Sequence, residues 1–327
     1  MPFGAPLFSL FNDPKAALLK PIEGPLDIVD DTDHWRPDTV DVTVDSAYLE
    51  EFAAGDVSVA DINTAPLQVH ERVTRNPLTV KRLLTHTVTA ATDLTQEQVD
   101  KASKIGEVMD LLNIAQAIPA QAIKRTRNLH YAALLVFGIQ GSTIPAAMAA
   151  YLDTLAGDNL SLFNEAHTYP GSAVTWRNIA LASLDFTEDA LTTVFQDLGA
   201  ILTDQGIPTM IKPDHVEIAY NLFPKARKVL DSQYEPNTGN NAINTARVVM
   251  LNLSLTPNKY LPNDYWFVHS DVGKDFKIRH VGQARGGAAW NDFSKDNRGR
   301  TFGVYMYQNF QPPNQPYGIY SAQAKVS

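Results

Sequence analysis

Six prolines stand among the first 45 residues, at Pro2, Pro6, Pro14, Pro21, Pro25 and Pro37. Proline has no backbone N–H to donate and a fixed φ, so this spacing forbids a regular helix and disfavours a central strand. The stretch also carries Asp27, Asp30, Asp31, Asp33 and Asp38. It reads as an acidic extended arm, which gains little by packing on its own domain and is expected to be ordered by a neighbour.

The following segment, Val40 to Thr92, is β-rich. Val40-Asp-Val-Thr-Val44 alternates, and Thr79 to Thr89 is dense in β-branched residues. A long two-stranded excursion fits, although an isolated hairpin is marginal in water without a surface to lie on. Thr95 and Gln98 then form a capping box with Leu94 and Val99 as its hydrophobic staple. Val99, Ala102, Ile105, Met109 and Leu112 continue at helical spacing. A second helix is expected from Pro119, at its first position, to just before Gly138. Tyr131 to Leu152 is uncharged and long enough to span a bilayer, but Gly138 to Pro145 breaks it, so two buried helical pieces joined by a turn are expected. An amphipathic helix is expected from about Asp185 through Ala190, Leu191, Val194, Leu198 and Leu202 to Gly206.

His215 to Asp231 could be misread as one helix. Pro224 would then sit in its interior, which costs about 3 kcal/mol or more. A strand at about 208–220, with Val216, Ile218 and Tyr220 on one face, followed by a helix starting at Pro224, avoids that cost. Strands are further expected at Arg247–Leu255, Tyr265–His269, Phe276–Arg279 and Phe302–Tyr307. Helices and strands are segregated rather than alternating, so the fold class is α+β with mostly antiparallel sheet.

Chemistry is harder to find. The chain has no Cys among its 327 residues, which excludes disulfides, thiolate metal sites and cysteine nucleophiles. Gly282 to Gly287 lacks the length and the Lys-Ser/Thr of a phosphate loop, and neither HExxH nor GxSxG occurs. Counted from Asp27, an EF-hand would place its bidentate Glu where Asp38 stands, and the turn glycine is missing, so the acidic run reads as a solvated arm. No catalytic residue, metal or cofactor is expected, and the chain reads as not an enzyme. An α+β enzyme would have to bring scattered groups such as His167, Asp185 and His269 into one pocket. Against 36 Asp and Glu stand 27 Lys and Arg, a net charge of −9, which repels phosphate backbones and anionic lipid. Two basic groups stand out: Arg72, Arg75, Lys81 and Arg82 on the β excursion, and Lys124, Arg125 and Arg127 on the second helix. With no aromatic between Gln68 and Thr92 for bases to stack on, the first group is better suited to an acidic protein surface than to nucleic acid. Both are candidate subunit contacts.

The order of elements resembles the major capsid proteins of tailed bacteriophages with the Hong Kong 97-type fold, most closely Mu-type major head subunits. Asp158 to His167 is similar to that family's "LF…H" element and Leu184 to Gly206 to the helix after it. Ile211 to Ile218, Ala226 to Ser232, Asn240 to Asn244, Leu261 to Phe267 and Tyr317 to Tyr320 follow in the family's order. The resemblance implies an N-terminal arm at 1–37, an E-loop at 38–92, and a peripheral domain at 93–175 with a spine helix at about 119–137. An axial domain at 176–290 and return strands to the peripheral domain at 291–327 complete it. It implies a shell of hexameric and pentameric capsomers that encloses double-stranded DNA without binding its sequence. It further implies a separate scaffolding protein, a portal and a cement or decoration protein, no membrane, and a location in the virion, reached through the host cytoplasm. An encapsulin-like nanocompartment is the alternative within the same fold.

Arm and E-loop should be ordered by neighbouring subunits. Limited proteolysis of the unassembled chain is therefore expected to cut first within residues 1–92, and assembled material to resist; equal protection in both states would contradict this.

Overall fold

The computed structural model describes residues 39–42, 48–53, 79–84, 86–95, 97–98, 100–101, 108–150, 152–169, 171–209, 211–231, 253–270, 278–281, 288–294, 299–308, 316 and 318–326. The arm at 1–37 lies outside them. In chain order the strands are β1 (Thr39–Val42), β2 (Tyr48–Ala53), β3 (Thr79–Leu84), β4 (His86–Thr95), β5 (His167–Thr168), β6 (Thr175–Trp176) and β7 (Pro213–Ala219). They continue as β8 (Ser254–Asn258), β9 (Trp266–Ser270), β10 (Ile278–Val281), β11 (Ala288–Ser294), β12 (Gly299–Gln308) and β13 (Ile319–Ser321). The α-helices are α1 (Val108–Phe137), α2 (Glu188–Gly199) and α3 (Phe223–Asp231).

Two larger sheets organise these elements. The first is built around β12, whose ten residues pair antiparallel with β4 from Gly299↔Thr95 to Gln308↔His86. β11 pairs antiparallel with β12 from Ala288↔Tyr305 to Ser294↔Gly299, and β10 joins it at His280↔Gln308 and pairs parallel with β1. The second sheet has the order β13-β9-β7-β8, antiparallel except for the parallel β7–β8 pair. β2 and β3 form a separate two-stranded ribbon, and β5 and β6 another. The stretch Thr79 to Thr89, which alternation presents as a single strand, divides at residue 85 between the ribbon and the first sheet.

β7 is central in the second sheet and is buried on both faces, from His215 to Ala219. Pleating sends alternate residues to opposite sides. Val216 and Ile218 join a core with Trp266, Val268 and Tyr320, closed by Ala190, Leu191, Val194 and Leu198 of α2 and by Ala226 and Val229 of α3. Ala219, Phe267 and Ile319 face a second core with Tyr131 to Leu135 of α1, Leu162 and Phe163. The sheet is therefore the middle layer of three. α1 also packs on β4 and β12, so one helix joins both sheets.

Local chemistry sets several boundaries. Thr95 N donates to Gln98 Oε1 at 2.9 Å and Gln98 N to Thr95 Oγ1 at 3.3 Å, the expected capping box, with Leu94 buried before it. Val99 and residues 102–107 lie outside the described residues. α2 begins at Thr187, whose hydroxyl accepts from Ala190 N at 3.2 Å, with Glu188 and Asp189 in the first turn where the helix dipole favours acids. Pro224 falls in the first turn of α3, directly after β7 and a 3-10 turn at Tyr220–Leu222, as its missing donor requires.

Other expectations are corrected. α1 does not start at Pro119 but at Val108, and runs through Pro119 for 30 residues. The carbonyl of Ala115 loses its donor there, yet Pro119 is itself buried, and a helix anchored by two sheets tolerates a local defect that a short one would not. Among the described residues from 139 to 152 no second helical piece forms. The turns closed by Met148 N to Pro145 O (2.8 Å) and Leu152 N to Met148 O (2.9 Å) do not propagate. At Gly138 a Cβ would lie 2.5 Å from Leu134 O and 2.8 Å from Leu162 Cβ, so chain crossing ends the helix. α2 stops at Gly199 rather than Gly206, because Ile201 and Leu202 leave it for a tight turn in which Leu202 bridges Pro208 and Gly206 takes φ 77°. Tyr220 is 69% exposed instead of sharing the face of Val216, since the strand has ended before it. The strand expected at 247–255 is β8, at 254–258; residues 247–252 are outside the described set. β13 adds to the second sheet while β12 joins the first. Among the described residues no helix is long and apolar enough to cross a membrane.

Pro224→Ala should cost about 1 kcal/mol or less, because a first-turn residue has no intrahelical bond to lose. Val216→Asp, at a position with 0% exposure, should cost at least about 4 kcal/mol. Urea unfolding of the two variants measures both.

Candidate functional site

The junction between α1 and the second sheet concentrates the buried polar chemistry. Glu217, on the α1-facing side of β7, is 1% exposed. Its Oε2 accepts from Tyr131 Oη of α1 at 2.7 Å and lies 3.2 Å from His269 Nε2 of β9. Its Oε1 accepts from Asn258 Nδ2 of β8 at 2.5 Å. A carboxyl group withdrawn from water is tolerated only when hydrogen-bond partners replace the lost hydration, and three other elements, α1, β8 and β9, supply them here. His215, two residues earlier on the same face, has its Nδ1 2.6 Å from Ser254 Oγ and its ring 5.6 Å from that of His269.

Two further clusters fix loops to the same scaffold. His167 is fully buried, with Nδ1 2.8 Å from Asp158 Oδ2, Nε2 3.3 Å from the Leu162 carbonyl oxygen and its ring stacked on Trp176 at 4.4 Å. Asp158 also accepts from Leu160 N and Thr168 N, each at 3.1 Å. Burial pushes the Asp158 carboxyl up, but the His167 contact and these amides outweigh it and hold it below its ordinary 3.8. Asp197 of α2 receives Arg177 Nη2 at 2.6 Å and Tyr320 Oη at 2.5 Å. Burial and the neighbouring Asp197 carboxylate push the Tyr320 hydroxyl well above the ordinary tyrosine range. Hydrogen bonding to Asp197 raises the Arg177 guanidinium further.

Of the groups an enzyme reading would need together, His167 is committed to Asp158, His269 to Glu217, and Asp185 is exposed ahead of α2. Among the described residues no group of three His, Asp or Glu could hold a metal ion. Glu217, Tyr131 and Asn258 escaped the sequence reading. The available signal was a single Glu inside the apolar run His215-Val-Glu-Ile-Ala219, but alternation alone assigns it to a solvated face.

The candidate contact residues are spread over two elements. Lys81 and Arg82 stand on β3, directly opposite Glu51 and Glu50 of β2. Lys124, Arg125 and Arg127 lie on α1, where Arg125 is exposed between the exposed apolar residues Ile118 (46%) and Leu129 (49%). Arg72 and Arg75 lie outside the described residues.

No family model matches the sequence, and no curated protein matches it either. Solved structures do. The subunit of the capsid of an empty GTA particle aligns over 94% of both chains with a TM-score of 0.55 at 11% identity. The capsid subunit of cyanophage A-1(L) aligns over 88% of this chain and 90% of its own, with a TM-score of 0.54 at 12% identity. The chain has the Hong Kong 97-type capsid fold. At such identities the likeness is one of backbone.

Tyr131→Phe should leave Glu217 short of one donor and destabilise the chain by about 1–3 kcal/mol, read by urea unfolding. The Asp158 carboxylate contributes stability that is fully present above its ordinary 3.8 and is lost as pH falls through its lower folded value. Asp158→Asn is therefore expected to lower the thermal midpoint at pH 7 and to flatten its decline below about pH 4.

Proposed function

We propose that this chain is the major head subunit of a tailed phage, copies of which assemble as hexamers and pentamers into an icosahedral shell around double-stranded DNA. One observation carries the reading: the backbone follows a capsid subunit over 94% of both chains. The rest of the molecule is consistent with a structural role. The net charge of −9 suits a container that must release its contents rather than grip them.

In this reading residues 1–37 are the N-arm and 38–92 the E-loop, both laid over neighbouring subunits. Residues 93–175, with α1 as spine, form the peripheral domain, 176–290 the axial domain, and 291–327 the return. Arg72, Arg75, Lys81 and Arg82, together with Lys124, Arg125 and Arg127, meet acidic surface on adjacent copies. Assembly takes place in the host cytoplasm, with a separate scaffolding protein, a portal and a cement or decoration protein as partners.

Negative-stain microscopy of the purified chain and of virion-derived material tests this. Closed hollow shells, with nuclease-protected DNA in the virion-derived particles, are the expected result. Shells that hold protein cargo in place of DNA would favour a nanocompartment, and small discrete oligomers would overturn the shell reading. Charge reversal at Arg75 and Arg82 together should block or misdirect shell assembly while leaving thermal unfolding of the unassembled subunit nearly unchanged; normal assembly would show these cations to be merely solvated.

A further inference from the structure

After Ser321 the chain leaves the second sheet. Ala322 is still fully buried; its N–H donates to the Trp266 carbonyl oxygen at 3.3 Å, and its own carbonyl oxygen accepts from Leu184 N at 3.0 Å. Gln323 to Val326 then cross the surface, half-buried or exposed and outside any strand. Each of the four holds a different loop. Gln323 Nε2 donates to the Asp264 carbonyl oxygen at 2.8 Å, and Ala324 N donates to Ser183 Oγ at 3.2 Å. Lys325 Nζ donates to Glu165 Oε2 at 2.7 Å, and Val326 N to the Gln140 carbonyl oxygen at 2.8 Å. Glu165 N in turn donates to Gln140 Oε1 at 3.1 Å, so the last two contacts grip one linked pair of loops.

These loops serve different layers. Ser183 adjoins Leu184, which packs on the core shared with α2 and α3, and Gln140 follows Ile139 of the core shared with α1. The segment therefore reaches from one side of the second sheet to the other. Its far end requires glycine. Gly141 takes φ 84°, and a Cβ there would lie 2.0 Å from the carbonyl oxygen of Val326, a backbone atom that cannot swing aside as a side chain would.

Contacts of this kind hold reversibly. The Lys325 and Glu165 side chains are 50% and 25% exposed, and such ion pairs are weak singly and screened by salt. None of residues 323–326 is buried, so their release uncovers little apolar surface, whereas releasing β13 would uncover Ile319 and Tyr320. The boundary between what can open and what must stay falls at Ala322.

We propose that residues 323–326 form a strap that opens and closes as one unit on an otherwise folded subunit. Closed, it clamps the turn after α1 to the loops at Ser183 and Asp264, and so holds the end of the long helix from outside the sheet. Open, it frees Gln140 and Glu165 from that clamp while β13 and both cores stay in place. Glu217 is thus the fixed fastening of α1 and the strap the reversible one. The inference does not depend on the shell reading.

Native-state hydrogen exchange of the full, unassembled chain tests it. The Ala324 and Val326 amides should be protected and should report the same opening equilibrium. They should open at least about tenfold more readily than the amides of Ala180 and Ala219, which bond to Ser321 O at 2.9 Å and Tyr265 O at 2.8 Å. Absent protection would make the segment a frayed end, and opening as rare as that of Ala180 would make it part of the global fold; either overturns the strap. Ser183→Ala removes a bond to Ala324 alone, yet should lower protection at Val326 to the same degree; a change confined to Ala324 would refute a single unit. Gly141→Ala should cut protection at both amides by about tenfold or more, with Ala180 and Ala219 keeping theirs, and retained protection at Val326 would overturn the clamp. Glu165→Gln should lower protection at both amides about two- to fivefold at low salt. It should also abolish the loss that added salt produces in the unaltered chain, and an unchanged salt response would remove the ion pair from the closure. Should Gly141→Ala fail to fold, the Ser183 and Glu165 variants decide the matter alone.

Discussion

Glu217 can remain in the interior only while Tyr131, Asn258 and His269 all stay within reach of it. Those residues come from α1, β8 and β9, so one carboxylate holds together the long helix and three strands of the second sheet. The apolar layers on both sides of β7 supply most of the attraction, but oily surfaces tolerate sliding. Directional donors around a buried charge do not. The position of α1 relative to the sheet is thus set by hydrogen-bond geometry, and the packing of Leu134, Leu135, Phe163 and Phe267 follows from it.

The same division between attraction and direction recurs at smaller scale. Asp158 gathers a histidine and two amides to fix the loop before β5, and Asp197 ties α2 to Arg177 and to Tyr320 of β13.

Much of this was legible in the sequence wherever the signal was local. The capping box at Thr95, the apolar stripe of α2 and the placement of Pro224 each follow from backbone rules that act within a few residues. Pro119 misled for the same reason: locally it is a first-turn residue, and only the two sheets flanking α1 make its interior position tolerable. Glu217 was invisible because its three partners lie between 41 and 86 residues away in sequence. Tyr220 was misassigned by extending a period of two past the end of its strand. The fold class and the capsid resemblance were carried by the order of elements, which survives where individual residues diverge.

The pairing of β4 with β12 joins residues 86–95 to residues 299–308. From Thr95 to Gly299 the separation is 204 residues, so at roughly 5–20 residues per second a ribosome needs about 10–40 s to deliver the second strand after the first. Until then β4 and the adjoining face of α1 lack their partner. A nascent chain therefore cannot complete its first sheet until synthesis is nearly over, and translation itself sets the earliest moment at which the finished surface exists.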